Sequence, residues 1–416
     1  MTRREWLATP AGICFAAPDR AVLYRGDPAR EVSPAIRVES FRNLRLEWRE
    51  RWTAPIAWQK HAGNPVLAAP RTTPCVVRTA DRLRLFYGSQ PRQIGSATAS
   101  LADPVHWTDS DHPVLASGPA KAFDTAGVNA AEVIQLTDRH WRMYYVGYHP
   151  VLKEGGVPVH QIGLAESEDA GNTWRRVSPN PVLPRGPKGS YDAFSTSSAS
   201  VLRVGSEWWL WYGGIAQVPY LAGICLATST DGITFTKYER NPVLPFNPHL
   251  RAEAFICAKP HVLFEGGVFR MWYTARGFGE GARPGDYRIC YAESYDGIHW
   301  ERHPGNPVME PSPGGWDHKM VAYAEVLPDA GDYHMWYCGD GYAAIGYARG
   351  RRAVVEVRTR FGDSPQPDGR WSDWSSPHPD PLGSPVRSGG AFVQIQARCV
   401  YGKAIIENLI LTGERA

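Results

Sequence analysis

The sequence predicts an all-β protein in which a five-bladed β-propeller is inserted into a small, jelly-roll-like β-sandwich. Five segments related to Asn-Pro-Val-Leu recur along the 416-residue chain, and such self-similarity indicates one supersecondary unit repeated. They begin at residues 64, 112, 180, 241 and 306. Aromatic residues make up 12% of the chain, and aromatic side chains suit pleated, half-buried strands. Strand-rich units of this size are typical of propeller blades.

The third repeat shows the order of parts within a predicted blade. Strand patterns occupy residues 198–202, 208–214 and 223–229, and a fourth begins at residue 233. Asp231-Gly232 predicts the hairpin turn between the last two strands, because glycine accepts a positive φ. The fourth strand runs into Pro242, which donates no backbone hydrogen bond and therefore belongs at a sheet edge. One repeat is thus predicted to be one four-stranded sheet.

The fifth repeat lacks a fourth strand, and the missing strand is predicted near the other end of the chain. Residues 345–348 have the third-strand pattern, but no fourth-strand pattern follows them. Residues 56–60 have the fourth-strand pattern without three strands before them. Pairing these two segments would close the ring and remove the exposed edges that an open sheet would have.

The two flanks of the chain are predicted to form the sandwich together. Strand patterns occur in residues 19–52 and again in residues 352–416, and neither set alone provides two packed sheets. We therefore predict one β-sandwich made from residues 1–52 and 350–416. Residues 53–349 would form the propeller inserted into it, because chain ends often lie close together.

Charge and cysteine content limit the classes of function. The net charge is +3 without a basic run, which argues against nucleic-acid and membrane partners. Seven cysteines without a disulfide spacing pattern favour a reducing, cytoplasmic location. The start of the chain contains Arg3-Arg4 and resembles a twin-arginine export signal, but the apolar stretch after it is short and contains Pro10. We favour an ordinary N-terminal arm.

A pocket is predicted at one end of the propeller channel. The segments between blades and those between second and third strands share one face of the ring. The latter segments are long and varied, and they span residues 148–160, 215–222 and 276–287. Irregular loops at one end of a rigid scaffold usually carry function, so we expect the site there.

The predicted innermost strands contain charged residues that differ between blades. Glu132 and Glu325 occur in only two blades, which favours specialised roles. Lys259 and His261 are each unique at their repeat positions; a lysine can hold an anionic group and a histidine can transfer protons. A purely structural alternative stays open, in which these acids and bases pair with one another in the channel.

A second set of acids recurs nine residues before the aligned valine of repeats two to five. These residues are Asp124, Asp192, Glu253 and Asp317. A residue that is repeated in four blades usually serves the repeat itself, so a structural role is favoured over catalysis. His318 follows the last of these acids and is placed at the expected rim of the pocket.

The pattern of one repeat is similar to that of the five-bladed glycosidases. Within residues 56–348 it reads aromatic-Asp, Val-Leu, Met-Trp-Tyr, Ile-Gly-x-Ala-x-Ser-x-Asp-Gly-x-x-Trp and Asn-Pro-Val-Leu. This superfamily includes arabinanases and β-xylosidases of glycoside hydrolase family 43, invertases and levansucrases, and mannoside phosphorylases. The resemblance implies an axial pocket with two or three carboxylates. One would protonate the leaving oxygen, and a second would activate water or attack the sugar.

The chain departs from this resemblance where the family motifs place acids. Thr73 precedes Pro74, Ser198 lies near the start of the third inner strand, and Lys259 precedes Pro260. The catalytic candidates are therefore displaced acids, namely Asp124, Asp192, Glu253, Glu132 and Glu325. The first three lie about six residues early, roughly 20 Å of extended chain, so a loop would have to fold back. Candidate substrate-binding residues are Lys259, His261, Asn129, Tyr323, Thr73, Ser198 and His318.

Three functions remain open from the sequence. The leading hypothesis is a carbohydrate-active enzyme that hydrolyses a glycosidic bond. The first alternative is a non-hydrolytic tailoring enzyme, a lyase or cyclase, since Lys259 replaces an acid and a fold does not determine its chemistry. The second is a non-catalytic carbohydrate-binding protein. The expected partner is a saccharide or another small molecule. No cofactor and no metal-ligand pattern is indicated, although an axial calcium ion is compatible with the scaffold.

Overall fold

The computed structural model consists almost entirely of β-strands. It describes residues 20–26, 33, 35–51, 57–68, 70–90, 92–110, 112–218, 220–265, 267–279, 284–329, 331–342, 344–351, 354–373, 384–386, 389–401 and 405–415. The N-terminal arm with Arg3-Arg4 lies outside the described residues. Within the described ranges, no helix is both long and apolar enough to cross a membrane.

The strands are numbered in chain order. The N-terminal strands are β1 (Arg20–Gly26), β2 (Ile36–Arg37), β3 (Phe41–Arg51) and β4 (Gln59–Lys60). Four groups follow: β5 (Arg71–Arg78), β6 (Arg82–Ser89), β7 (Gln93–Ser100), β8 (Asp103–Asp109); β9 (Val128–Gln135), β10 (Trp141–Glu154), β11 (Val157–Ser167), β12 (Arg175–Arg176); β13 (Ser195–Val204), β14 (Glu207–Gln217), β15 (Leu221–Ser229), β16 (Thr236–Lys237); β17 (Ile256–Glu265), β18 (Val268–Phe278), β19 (Pro284–Ser294), β20 (Glu301–Arg302). The last are β21 (Ala322–Asp329), β22 (Asp332–Cys338), β23 (Ile345–Arg351), β24 (Val354–Gly362), β25 (Ser384–Pro385), β26 (Phe392–Tyr401) and β27 (Ile405–Arg415).

The propeller strands pair in five groups of four. Four groups are consecutive in the chain, and within each the strands are antiparallel neighbours. The fifth group has the order β21-β22-β23-β4, so its outer strand comes from the N-terminal side. Pairing of Ala348 with Lys60 and of Arg349 with Gln59 closes the ring. The predicted all-β propeller fold class is therefore confirmed.

The recurring tetrapeptide forms hydrogen bonds that join the outer edge of a blade to its third strand. Asn241 Nδ2 donates to the carbonyl oxygen of Leu226, and the Leu226 amide donates back to Asn241 Oδ1, at 2.8 and 2.7 Å. Asn64 and Asn306 make the same paired contacts in their blades. The last residue of each tetrapeptide bridges an isoleucine of the third strand, as Leu244 bridges Ile224. An asparagine side chain has both a donor and an acceptor, which explains its recurrence.

A ring of contacts around the channel joins each inner strand to the next. The residue before the aligned valine in one blade reaches the backbone of the valine in the following blade. Val133 N–H donates to Cys75 Sγ, Val201 N–H to Glu132 Oε1, Val262 N–H to Ser200 Oγ, His261 Nε2 to the Val326 oxygen, and Val76 N–H to Glu325 Oε1. We call these five side chains the throat ring. The contacts run once around five blades and return to the first.

Each inner strand contains a β-bulge two residues before the throat ring. The residue there has a positive φ, between 43° and 59°, although none of the five is glycine. These bulge residues are Thr73, Ala130, Ser198, Lys259 and Tyr323. The pairing register with the second strand shifts at each of them. A left-handed conformation is costly for residues with a Cβ. Bulges redirect side chains, so the same bulge in all five blades turns one side chain of each toward the axis.

Large aromatic side chains fill the spaces within and between blades. The middle of each second strand has at least one aromatic residue that is fully buried, among them Phe86, Tyr144, Trp211, Trp272 and Trp336. Trp211 packs edge-on against Trp300, and Trp272 against Tyr333 of the next blade. Full burial of such a side chain contributes up to about 3 kcal/mol. The described cysteines of the propeller are buried, free thiols.

Two further sheets come from the terminal segments. One has the order β1-β27-β3-β25 and the other β2-β26-β24. Their shared core contains Ile36, Val38, Leu44, Leu46, Val357, Val393, Ile395 and Leu411. Strands from both ends of the chain thus pair with each other, as in β1 with β27. The division into residues 1–52, 53–349 and 350–416 stays a prediction.

The segments predicted as long irregular loops are largely strand. β10 continues to Glu154 and β11 begins at Val157, so most of residues 148–160 form a hairpin. Gly155 and Gly156 both have positive φ at its tip. Two such residues in succession match the right-handed twist of a tight hairpin, and the Gly-Gly dipeptide was the overlooked signal.

Candidate active site

A pocket lies over the end of the channel where the hairpins between second and third strands project. It encloses about 160 Å³. This is less than the roughly 300 Å³ at which drug-sized pockets begin, so one small unit of a ligand fits. The described residues that line it include Thr73, Asn129, Ala130, Tyr148, His160, Ser197, Ser198, Ile215, Tyr220, Lys259, Thr274, Tyr287 and Tyr323.

The floor of the pocket is formed by the five bulge residues of the inner strands. All five line it, and Lys259 is the one charged residue among the described lining residues. Thr73 Oγ1 donates to Asn129 Oδ1 at 2.8 Å, which holds the amide across the first two blades. A Cβ at Gly88 would lie 1.7 Å from this Asn129 oxygen, so a larger residue there would displace the amide from Thr73. The bulges therefore bring side chains from five distant repeats to one place.

The pocket wall is aromatic and uncharged. Tyr287, Tyr323 and Tyr342 form one ring cluster, in which Tyr323 and Tyr342 are stacked with centroids 5.1 Å apart. On the other side Tyr148 packs against His160 at 5.3 Å. Burial lowers the pKa of His160 to about 4 and raises the pKa of Tyr323, so both are neutral near pH 7. Aromatic faces with phenolic donors suit the ring and hydroxyl groups of a sugar.

Beneath the floor, the throat ring adds two carboxylates and an imidazole. Lys259 Nζ lies 3.9 Å from Glu325 Oε2, and His261 Nδ1 lies 3.1 Å from the same oxygen. One oxygen of Glu132, one oxygen of Glu325 and Cys75 Sγ all lie within 4.8 Å of one another. Lys259, His261, Glu132 and Glu325 are all buried, so charge is concentrated where water has little access.

The two throat carboxyls have opposite pKa shifts. Burial, and then the charge of Glu325, raise the pKa of Glu132 to about 7, although Lys259 has the opposite effect. Burial also disfavours ionised Glu325, but His261 and Lys259 outweigh this and lower its pKa. For His261, Glu325 and then Glu132 outweigh burial and raise the pKa. Near neutral pH the site holds one ionised carboxylate and one that exchanges its proton.

Four buried polar atoms of this cluster lack a hydrogen bond within the described part of the chain. They are Glu132 Oε2, Lys259 Nζ, His261 Nδ1 and Glu325 Oε2. In each glutamate, Oε1 accepts a backbone amide of the next blade while Oε2 is left over. Buried polar atoms are nearly always satisfied in folded proteins. Such unused atoms therefore mark a place for water or a ligand.

Each repeated acid of the blade linkers pairs with a cation, and both carboxyl oxygens of Asp192 and Glu253 are hydrogen-bonded. One oxygen each of Asp124 and Asp317 has no hydrogen bond among the described residues. Asp124 Oδ2 pairs with Arg176, Asp192 with Lys237, Glu253 with Arg302 and Asp317 with Lys60, at 2.5–2.7 Å. Each cation lies on or next to the outer strand of the blade, and second-strand hydroxyls of Tyr212, Tyr273 and Tyr337 add hydrogen bonds to the last three. None of the four acids is among the described lining residues of the pocket. Their positions fit the structural role favoured by the repeat.

The predicted substrate-binding residues divide into three groups. Thr73, Ser198, Lys259, Asn129 and Tyr323 come together in the pocket. His261 lies below them in the throat ring. His318 does not line the pocket among the described residues; its half-exposed ring pairs with Asp340.

Several pocket residues were not predicted from the sequence. Tyr148, His160 and Tyr287 lie on the strands of the hairpins between second and third strands, and Tyr220 lies in the turn between β14 and β15. Aromatic residues at each of those junctions were the available signal. No aspartate or glutamate belongs to the described lining of the pocket. The carboxylates that the family resemblance implies are therefore nearest in the throat, one layer below.

Sequence comparison finds relatives without an assigned function. No protein-family model matches the chain. Over 280 residues it is 30% identical to the uncharacterized protein Rv1502 of Mycobacterium tuberculosis strain H37Rv, an alignment that covers 64% of this chain and 87% of that protein. The uncharacterized protein MT1551 of strain CDC 1551 matches with the same identity and coverage.

Comparison with solved structures finds propeller glycoside hydrolases. A glycosyl hydrolase from Bacteroides ovatus superposes with a TM-score of 0.58 at 13% identity, covering 72% of this chain and 94% of that one. A structure described with the GH130 family of mannoside phosphorylases gives 0.57 at 13%, with the same coverage. A thermostable family-43 glycoside hydrolase gives 0.53 at 17%, covering 70% and 91%. At these identities the likeness shows the fold, and it confirms the predicted superfamily resemblance at that level.

Proposed function

Because the chain belongs to the family of the uncharacterized protein Rv1502 and has the propeller fold of glycoside hydrolases, we propose that it is a carbohydrate-active enzyme. Its axial pocket would bind one sugar unit of a saccharide. The tyrosine wall supplies stacking faces, and Asn129, Ser198 and Thr274 supply hydrogen-bonding groups.

The proposed reaction is hydrolysis of a glycosidic bond. The observation that carries it is the pair of throat carboxyls, which are close together and have opposite pKa shifts. Pairs of titratable groups whose environments separate their pKa values are typical of acid and base partners. Glu132, whose pKa of about 7 leaves it partly protonated near neutral pH, would donate a proton to the leaving oxygen. Ionised Glu325 would act as nucleophile or base.

The backbone contacts of the throat ring support this assignment. Oε1 of each glutamate is occupied by an amide of the next blade, which orients the carboxyl, while Oε2 is left for chemistry. Asp192 and Glu253 have no such free oxygen, because both oxygens of each accept hydrogen bonds. Asp124 and Asp317 each keep one unbonded oxygen, but neither belongs to the described lining of the pocket. The proposal requires the reacting bond to reach the throat past Lys259 and the other bulge residues. Binding of the sugar would have to displace the side chain of Lys259.

The reaction is tested with a panel of aryl glycosides, including arabinofuranosides, xylosides, fructosides, galactosides and mannosides, with and without phosphate. We expect chromophore release from at least one member. Proton NMR of the first product should show retention of the anomeric configuration, because carboxylates about 5.5 Å apart or closer favour the two-step route. Inversion would contradict the assignment of both throat carboxyls.

A specific observation favours a second candidate. The described lining of the pocket contains a lysine and no acid, which suits a non-hydrolytic lyase or cyclase acting on a small polar molecule. Turnover of a non-glycoside that is lost in Lys259→Met and kept in Glu132→Gln would select this alternative. Saccharide binding without any turnover, unchanged in both variants, would indicate a carbohydrate-binding protein instead.

A further inference from the structure

The pocket floor contains one buried ammonium group with unused hydrogen-bonding capacity. The side chain of Lys259 is 2% exposed, and its Nζ has no hydrogen-bond acceptor among the described residues. The backbone of Lys259 is held at φ 43°, so the bulge directs this side chain to the axis. A lysine ammonium has three donors, and burial without acceptors is costly. A missing acceptor is therefore indicated at this point of the pocket.

Glu325 does not supply that acceptor. Its Oε2 is 3.9 Å from Lys259 Nζ, which is beyond a hydrogen bond, and 3.1 Å from His261 Nδ1. One carboxylate is thus shared between two basic groups. Glu132 carries only part of a negative charge near neutral pH, since its pKa is about 7. The floor of the pocket consequently retains positive potential.

No aspartate or glutamate is among the described lining residues. The Arg92 guanidinium lies 4.3 Å from the centroid of the Tyr148 ring, and that of Arg276 lies 5.6 Å from the Tyr287 ring. Both tyrosines line the pocket, so two more cations lie against the rings of its wall, although neither lines the pocket itself. A neutral sugar would leave this charge unmatched.

We propose that the pocket selects saccharides that carry an oxyanion, a carboxylate or a sulfate ester, and that Lys259 Nζ binds this group. The inference rests on the proposed function, whose saccharide it specifies. Lys259 thereby determines specificity, and Glu325 orients its ammonium from below. Hydrogen bonds to charged groups are stronger than neutral ones in a buried site, which makes a single lysine sufficient for discrimination.

The test measures affinities by isothermal titration calorimetry at 50 mM and 500 mM NaCl. The probes are matched methyl glycosides: each hexose, its uronic acid, the methyl ester of that acid and a sulfated sugar, together with inorganic sulfate alone. For at least one sugar configuration, we expect the uronic acid or the sulfated sugar to bind the native protein about tenfold or more tightly than the neutral sugar and the ester. Higher salt should reduce this preference.

Lys259→Met should abolish the preference and leave affinity for the neutral sugar within about threefold. Lys188→Met, at an exposed lysine, is the matched control and should change neither. Glu325→Gln provides a second test that keeps Lys259. It removes the shared counter-charge, so affinity for the oxyanion should rise. A native protein that prefers neutral sugars, or a preference that survives Lys259→Met, would overturn the proposal.

The remaining outcomes separate this inference from the proposed function. Neutral saccharides that bind without any oxyanion preference overturn the inference and leave the carbohydrate function standing. Binding of inorganic sulfate that depends on Lys259, without binding of any saccharide, supports the anion site and contradicts the proposed function. Failure of every probe to bind folded protein contradicts both.

Discussion

Glu253 of a blade linker and Glu132 of the throat ring differ in how completely their carboxyl oxygens are hydrogen-bonded. Glu253 is buried, and Arg302 and Tyr273 contact its two oxygens at 2.6 and 2.7 Å. Glu132 is also buried, but one of its oxygens has no partner among the described residues. The same type of side chain thus serves two ends. Repetition of the partners marks structure, and an unused oxygen beside a pocket marks a candidate for chemistry.

The largest effect is expected from substitutions that remove one carboxyl of the throat pair while the protein stays folded. Glu132→Gln or Glu325→Gln should lower kcat/KM on the best glycoside about 100-fold or more, because each removes an acid or base group. The amide carbonyl can still accept the backbone amide that Oε1 accepts now. At pH 5, where Glu132 is protonated and uncharged, thermal unfolding of Glu132→Gln should therefore change little.

The control for this comparison is Glu239→Gln, at an exposed position where no loss of activity is expected. Full activity in both throat variants would return the catalytic assignment to the other candidates, Asp124, Asp192 and Glu253. Their own glutamine and asparagine variants would then be the next measurement.

A linker acid should show the reverse profile. Glu253→Gln leaves Arg302 without its carboxylate, and breaking a buried pair costs about 3 kcal/mol of the free energy of unfolding. Residual folded protein should keep its kcat/KM. Urea unfolding checks the stability. Glu310→Gln breaks the surface pair with Arg288 and should cost below about 1 kcal/mol. Equal costs in the two variants would contradict the structural role of the linker acid.

The pH dependence of stability sharpens the difference further. The pKa of Glu132 is raised by burial to about 7, so the folded state binds its proton more tightly than the unfolded state does. This contribution is present below the unfolded pKa, near 4.5, and is lost as the pH rises through about 7. Glu132→Gln has no ionisable carboxyl at this position, so this loss of stability with rising pH does not occur in the variant.

The stability of Glu132→Gln relative to the native protein should therefore increase by on the order of 2 kcal/mol between pH 5 and pH 8. Chemical denaturation at matched pH values measures it. The lowered pKa of Glu325 and the raised pKa of His261 affect the stability of both proteins, so their contributions largely cancel in the stability difference between variant and native protein. A flat difference across this range would show that Glu132 is ionised throughout.

The smallest expected effect concerns the bulges that form the pocket floor. Ala130 has φ 48°, where glycine is unstrained, so Ala130→Gly should stabilise the protein by about 0.5 kcal/mol. The neighbouring Ala131→Gly lacks this compensation and should destabilise by about 1 kcal/mol. Thermal unfolding of the two variants makes the comparison. Destabilisation by both would mean that the bulge stores no strain at Ala130.

Sequence reasoning was most reliable where the cause of structure is local. Strand patterns, Asp-Gly turns and the Asn-Pro segments predicted the blades, and the strand at Gln59–Lys60 completed the fifth one. It was least reliable in the hairpins after the second strands. There the Gly155-Gly156 turn continues the pairing of β10 and β11 beyond the expected loop boundary. How far two strands stay paired beyond the blade core depends on both strands, and the residue pattern of one strand does not show this.

The sequence by itself determined the repeat, the all-β class, ring closure and the candidates Lys259, Glu132 and Glu325. These follow from periodicity and from differences between repeats, which are properties of neighbouring residues. The tertiary structure alone decided which acids are saturated and which atoms are left over. Arg302 reaches Glu253 from 49 residues away, and Glu325 reaches Val76 across 249 residues. The first contact exists only when one blade has folded, and the second only when five blades close into a ring, because no local pattern encodes distances between residues so far apart in the chain.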